Sequence, residues 1–212
     1  MPTQTLDTSF NNARIPLPPV VVAAEYFDYD DGTSLIGKLT PVGGLAWSKL
    51  VVGTAADADI KIKDSAGGPT YATSAANRVF AVVDLGRADG KTSAQMVNGV
   101  VGATLPLRIA DGNNHLSVQW INPGIWALYQ RTTAGGSSLI QSSTIAPTPS
   151  DVIEVFHYGQ SIGVKINGTL AISASNVTAN LTATKGGIGG GVAGPLTVPA
   201  NLWDSWKFEY EQ

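Results

Sequence analysis

The groups in this chain that could do chemistry are its acids, its two histidines and its tryptophans. Retaining cleavage of a glycosidic bond takes two carboxyl groups about 5 to 5.5 Å apart. Of the four glutamates, Glu25 and Glu154 stand alone on their segments, while Glu209 and Glu211 are spaced two apart and alternate with Trp206, Phe208 and Tyr210. That alternation near the chain end is the pattern of a solvated strand face rather than of a reacting pair. No Gly-x-Ser-x-Gly turn is present to raise a serine nucleophile. His115 follows Asn113-Asn114 in a turn and reads as solvated, whereas His157 lies within a strand and reads as a hydrogen-bonded core residue. With no cysteine at all, disulfides, zinc–thiolate sites and thiol nucleophiles are excluded. We read the chain as not an enzyme.

Binding is the remaining chemistry. Trp120, Trp126 and Tyr129 fall within ten residues, close in sequence to Arg108, Asp111, Asn113, Asn114 and His115. Sugar sites pair an aromatic ring with short polar side chains that meet the hydroxyls. Trp120 shares its spacing with Leu116 and Val118 and so faces the core. The candidate ligand-binding set is therefore Arg108, Asp111, Asn113, Asn114, His115, Trp126 and Tyr129, with core or interface packing as the competing reading. Asp28, Asp30 and Asp31 ahead of Gly32 offer oxygens at the spacing that wraps calcium. The closing acid is missing, because the twelfth position is Leu39. Calcium is thus the only cofactor considered, against an Asp-rich turn. The glycine run from Lys185 to Gly191 lacks the spacing of a phosphate loop and reads as strand.

The elements that must position these residues are short. Twenty-four glycines and twelve prolines argue against long helices, and no apolar run reaches the 18 residues of a membrane span. Charged residues are 14% of the chain and the net charge is −3, which gives no basic footprint for nucleic acid or for an anionic membrane. From Glu25 on, strand-like runs recur between turn signals. They fall near Trp47–Gly53, Ala58–Ile62, Arg78–Leu85, Thr92–Val97, Pro106–Ala110, Leu116–Ile121, Trp126–Gln130 and Ser138–Ser142, with a last strand from Trp203. Between Asp151 and Ser173 two hairpins follow in tandem, the second closed by Asn167-Gly168, whose type I′ turn needs positive φ at both positions. Residues 1–24 have no periodicity, and Pro16, Pro18 and Pro19 hold them extended. We expect an arm that docks onto a neighbouring subunit through Phe10, Ile15, Pro16, Leu17, Pro18 and Pro19, with packing along its own domain as the competing reading, ahead of one domain at 25–212. The N-terminus has neither the basic nor the apolar part of a secretory signal.

The ordered set of stretches from Phe27-Asp28-Tyr29-Asp30-Asp31-Gly32-Thr33-Ser34-Leu35 through Leu107-Arg108-Ile109-Ala110-Asp111-Gly112 and Val164-Lys165-Ile166-Asn167-Gly168 to Trp203-Asp204-Ser205-Trp206-Lys207-Phe208 resembles the laminin G-like branch of the concanavalin A-like lectin/glucanase superfamily. The resemblance implies an all-β jelly-roll sandwich of two antiparallel sheets, with the first and last strands close together. It is nearest to domains of phage tail and virion proteins and of bacterial surface proteins. It implies a non-catalytic virion structural or adhesion subunit, partnered by other virion subunits as a homo-oligomer or larger assembly, and by a cell-surface glycan. The expected location is the virion, assembled in the host cytoplasm, or else the bacterial surface or the medium. The alternatives are a free carbohydrate-binding lectin module and, further off, a glycoside hydrolase.

Overall fold

A computed structural model describes residues 18–53, 58–70, 77–122, 124–133, 136–192 and 201–211. Within them the chain is all strand and turn, with no helix. In chain order the strands are β1 (Val20–Glu25), β2 (Ser48–Val52), β3 (Asp59–Lys63), β4 (Ala66–Thr70) and β5 (Asn77–Asp84). Then come β6 (Gly90–Asn98), β7 (Ala103–Asp111), β8 (Asn114–Ile121), β9 (Ile125–Arg131) and β10 (Ser137–Ser142). The last five are β11 (Val152–Tyr158), β12 (Ser161–Ile166), β13 (Thr169–Ala174), β14 (Lys185–Val192) and β15 (Leu202–Tyr210).

Two antiparallel sheets stack face to face. One has the order β13-β12-β11-β6-β15-β4-β3, with β1 also paired to β15; the other runs β10-β9-β8-β7-β14-β5-β2. Alternation decides what lies between them. Ile153 and Val155 of β11, Ile162, Val164 and Ile166 of β12, and Trp203, Trp206 and Phe208 of β15 face Val79, Ala81 and Val83 of β5, Leu116 and Val118 of β8, and Trp126 and Leu128 of β9. Each such side chain stabilises the sandwich by roughly 1.5–3 kcal/mol through the water it sheds. Because the side-chain period is two, a one-residue slip in any of these strands would turn its apolar set outward.

Two features differ from the sequence reading. Residues 20–24 belong to the domain and not to an arm: β1 pairs with β15 from Val20↔Tyr210 to Glu25↔Trp206. The β-branched run Val20-Val21-Val22 suits a strand, and Pro18-Pro19, which have no N–H to give a ladder, precede it. Strand β4, of sequence AGGPT, carries only its last residue, Thr70, as a strand signal. It is fixed instead by its neighbours, pairing with β3 along its length and with β15 at Trp203↔Gly67. Strand β14 bears out the structural reading of the glycine run. It lies between β5 and β7, where a Cβ at Gly187 would run into the Ala81 carbonyl. The tandem hairpins β11–β12–β13 stand as read, with Asn167 at φ 50° and Gly168 at φ 81°.

Strand β7 is bulged. Its register with β8 shifts between Leu107 and Asp111, and Arg108 there has φ 45°. Beyond the bulge, Ile109 joins Val52, Phe80 and Val82 in a second, smaller apolar cluster, on the opposite face of β5 from Val79, Ala81 and Val83. A Cβ on Gly112 would come within 2.9 Å of the Val51 carbonyl oxygen. These contacts place the end of the β7–β8 hairpin across the outer face of β14, β5 and β2.

Candidate functional site

The fold commits the buried acids to structural partners. Glu25 is fully buried and acts as an acceptor, taking hydrogen bonds from Trp47 Nε1 at 2.9 Å and from the Phe27 and Tyr26 amides at 3.0 Å. Asp151, also fully buried, accepts from Trp126 Nε1 at 2.7 Å, from the Thr148 amide at 3.0 Å and hydroxyl at 2.5 Å, and from Asn167 Nδ2 at 2.9 Å. Glu209 is mostly buried, a correction to its reading as a solvated residue. It is ion-paired to Lys91 and, at 2.7 Å, to Lys207, while Lys91 also reaches Glu154 at 3.3 Å. Burial alone would raise the Glu209 carboxyl, but the hydrogen bonds from Lys207 and Lys91 outweigh it and hold the group below its ordinary value. Asp31, Asp84, Asp111 and Asp151 are likewise held low. A general acid needs the opposite shift.

The ligand-binding set chosen from sequence is divided by the sheet. Trp126 is fully buried between the sheets, its ring 6.0 Å from that of Trp120 and its N–H given to Asp151. Tyr129 is three residues on, so it lies half-buried on the outer face, opposite Ser117 and Leu139. Arg108 points inward, its side chain fully enclosed, with Nη2 3.1 Å from Asp89 Oδ1. His115 is no solvated turn residue. It is fully buried and meets Phe80 edge-on, ring centroids 5.3 Å apart. Only Asp111, Asn113 and Asn114 remain at the hairpin tip, where the Asp111 carboxylate accepts from the Asn113 amide and from Asn114 Nδ2, both at 2.7 Å. Trp126, Arg108 and His115 therefore present no surface to a ligand in this fold. His157 matches its reading as a hydrogen-bonded core residue. Of the proposed assembly contacts, Phe10, Ile15, Pro16 and Leu17 lie outside the described residues, and Pro18 and Pro19 are exposed.

An open hollow of about 550 Å³ lies instead between the loop after β1 and the β3–β4 turn, lined by Asp28, Tyr29, Asp30 and Asp31 with Thr33, Lys38 and Ser65. Segment 32–35 is tied to β3 by backbone hydrogen bonds from Gly32 to Ile62, Leu35 to Ile60 and Ile62 to Thr33, which fixes the wall. Asp31 closes one end: Oδ2 meets Lys63 Nζ at 2.8 Å and Oδ1 accepts from the Asp64 amide at 2.7 Å, and these bonds lower its pKa. Asp28, Asp30 and Asp31 thus share one hollow, with the Asp31 carboxylate taken by Lys63 and the Asp64 amide. No group of three metal-ligating side chains occurs among the described residues. Tyr29 donates to the Leu39 carbonyl at 3.3 Å, and burial followed by the charge of Glu25 raises its hydroxyl pKa. Lys38 Nζ sits 5.5 Å from the Tyr29 ring centre. Asp28 and Asp30 are exposed and make no side-chain hydrogen bond among the described residues. Sequence reasoning had the aspartates but missed Tyr29, Lys38 and Ser65, since only the crossing of two distant turns brings them together.

No protein-family profile and no curated protein matches the sequence. Solved structures do match in shape. The catalytic domain of an endo-1,3-β-glucanase (laminarinase) from Thermotoga petrophila superposes with a TM-score of 0.53 at 9% identity, over 92% of this chain and 99% of that one. A structure from work on endo-acting O-glycanases of human gut bacteria that initiate mucin breakdown gives 0.52 at 11% identity, over 91% and 100%. The CBM2 module of the evolved Dit of Lactobacillus casei BL23 phage J-1 gives 0.47 at 8%, over 91% and 96%. At these identities the first two matches establish the fold: a two-sheet antiparallel jelly-roll sandwich of the concanavalin A-like kind.

Proposed function

We propose that this chain is a non-catalytic, lectin-like recognition module, a structural or adhesion subunit of a phage tail or virion that engages cell-surface carbohydrate. The observation that carries the reading is the hollow at Tyr29. It gathers the Tyr29 ring with the Lys38 ammonium over it, two unspent carboxylates at Asp28 and Asp30, and the hydroxyls of Thr33 and Ser65. That combination suits the apolar ring face and the hydroxyls of a sugar. The state of the acids supports binding over cleavage, because the described carboxyls that shift are all held ionised. The fold is also one found in proteins that act on glycans. The virion setting is supported by the sequence resemblance and by the proline-rich stretch that leads into β1.

Glycan-array binding followed by calorimetry on the best ligand tests this. Wild type is expected to bind with millimolar to micromolar affinity and to release no reducing ends from β-glucans. Tyr29→Ala should weaken binding at least about tenfold, the loss of one stacked ring. Steady hydrolysis, or binding indifferent to Tyr29, would overturn the reading. Sedimentation of the full chain separates the two settings: a concentration-independent monomer favours a free carbohydrate-binding module over an assembled subunit.

A further inference from the structure

The end of the β7–β8 hairpin is fastened on both sides of its sheet, and each fastening holds one of the chain's two histidines beside arginine. On the inner side stands Arg108, at the bulge and in a backbone conformation that residues other than glycine seldom adopt. Its side chain is fully enclosed, its Nε and Nη1 have no hydrogen-bond partner, and its one ionic partner, Asp89, is half exposed. The same Asp89 oxygen accepts from the Gly159 amide at 3.1 Å, so a single surface carboxylate ties β7 to the β11–β12 turn. Beside it lies the buried His157, whose contacts fix the proton position of its neutral form. Nδ1, 2.8 Å from the Ala88 carbonyl, carries the proton and donates it, which leaves Nε2, 3.2 Å from Thr92 Oγ1, to accept.

On the outer side His115 is buried against Phe80; its ring nitrogens have no hydrogen bond of good geometry, and the backbone of Asp111 and Gly112 lies nearest to them. The charges that bear on it are Arg131 from β9 and Arg78 from β5, with Asp111 at the hairpin tip; those that bear on His157 are Arg108 and Asp89. Among the described residues, neither imidazole, once protonated, would find an enclosed carboxylate.

We propose that residues 108–115 form an acid-released clamp: closed while both imidazoles are neutral, the hairpin end lifts off the sheet when they take up protons and uncovers Phe80, Val82 and Val52. Protonating His157 puts a second cation next to an already under-paired guanidinium, and protonating His115 puts a third beside Arg131 and Arg78. Burial first, and the arginine charges second, bring both groups down to about 4 in the closed state. An ordinary histidine titrates near 6.5, so each pH unit of acidification below about 6.5 raises the open population by up to about tenfold per histidine.

Hydrogen exchange read by mass spectrometry, corrected for the intrinsic pH dependence, tests the clamp. On going from pH 7 to pH 4.5, protection of residues 108–115 should fall at least about tenfold while β5, β11 and β12 keep theirs. The double variant His115→Phe, His157→Asn should keep the hairpin protected at pH 4.5. A wild-type hairpin protected equally at both pH values, or one lost only together with β11 and β12, overturns the proposal, and so does equal release in the double variant. Should that variant not fold, NMR titration of the wild-type imidazoles decides. Midpoints near 4 that coincide with amide shifts across 108–115 support the clamp, whereas midpoints near 6.5 with those amides unmoved overturn it.

Discussion

Asp151 shows how much one buried carboxylate can organise. It takes the indole N–H of Trp126 from one sheet and the amide of Asn167 from the other, and it closes the turn at Thr148. Burial opposes its charge, but the donors from Thr148, Trp126 and Asn167 together outweigh this and lower its pKa. Asp151→Ala leaves several buried donors unpaired, each costing about 1–3 kcal/mol. The expected loss is roughly 3 kcal/mol or more, measured by urea denaturation; a change under about 1 kcal/mol would mean that water replaces the carboxylate. Part of this was legible in the sequence. Trp126 and Tyr129, three apart on one strand, must point to opposite faces, so they could never have formed one platform. That Trp126 would find its acid 25 residues away could not be read, because the partner lies across the sandwich and nothing local marks it.

At the scale of elements, the strands that were legible are those whose own side chains decide their pairing. β11 and β12 alternate strictly, and Asn167-Gly168 sets their continuation into β13. β4, which was not, and β14, which was read as strand from its glycine run, are both glycine-rich, and what selects β14 is room. Gly189 has the Phe80 ring and the Val79 carbonyl against the position a Cβ would take, and Gly187 has the Ala81 carbonyl there. Gly187→Ala should therefore cost about 2–3 kcal/mol through overpacking, seen as a lower denaturation midpoint. Gly136→Ala, with open space at its Cβ, should stay within about 0.5 kcal/mol. Equal effects of the two substitutions would show that strand propensity, not backbone contact, makes β14 glycine. The hairpin fold-over belongs to this scale too. The bulge at Arg108 and the bare surface of β14 together let Ile109 reach Phe80 and Val82, a contact no periodicity in β7 announces.

For the whole molecule, the two buried histidines predict a one-sided pH dependence. Their folded values near 4 lie below the unfolded value of about 6.5, so the unfolded chain binds more protons between those limits. Their stability contribution is complete above about pH 6.5 and is lost as the pH falls toward 4, at up to roughly 1.4 kcal/mol per pH unit for each group. The lowered carboxylates add a further loss at lower pH still, as Asp151 and Glu209 take up protons. Urea midpoints at pH 7, 6 and 5 check this: a flat series would mean that the imidazoles reach solvent. The sequence by itself determined the class of the fold, because period-two alternation between frequent turns can bury its apolar face only in stacked sheets, and it determined which acids lack a partner of the right spacing. The tertiary structure alone decided which polar groups reach solvent. Arg108, His115 and Trp126 were enclosed, and a hollow at Tyr29 opened, through contacts between segments far apart in the chain, and spacing along a strand carries no information about what lies across it.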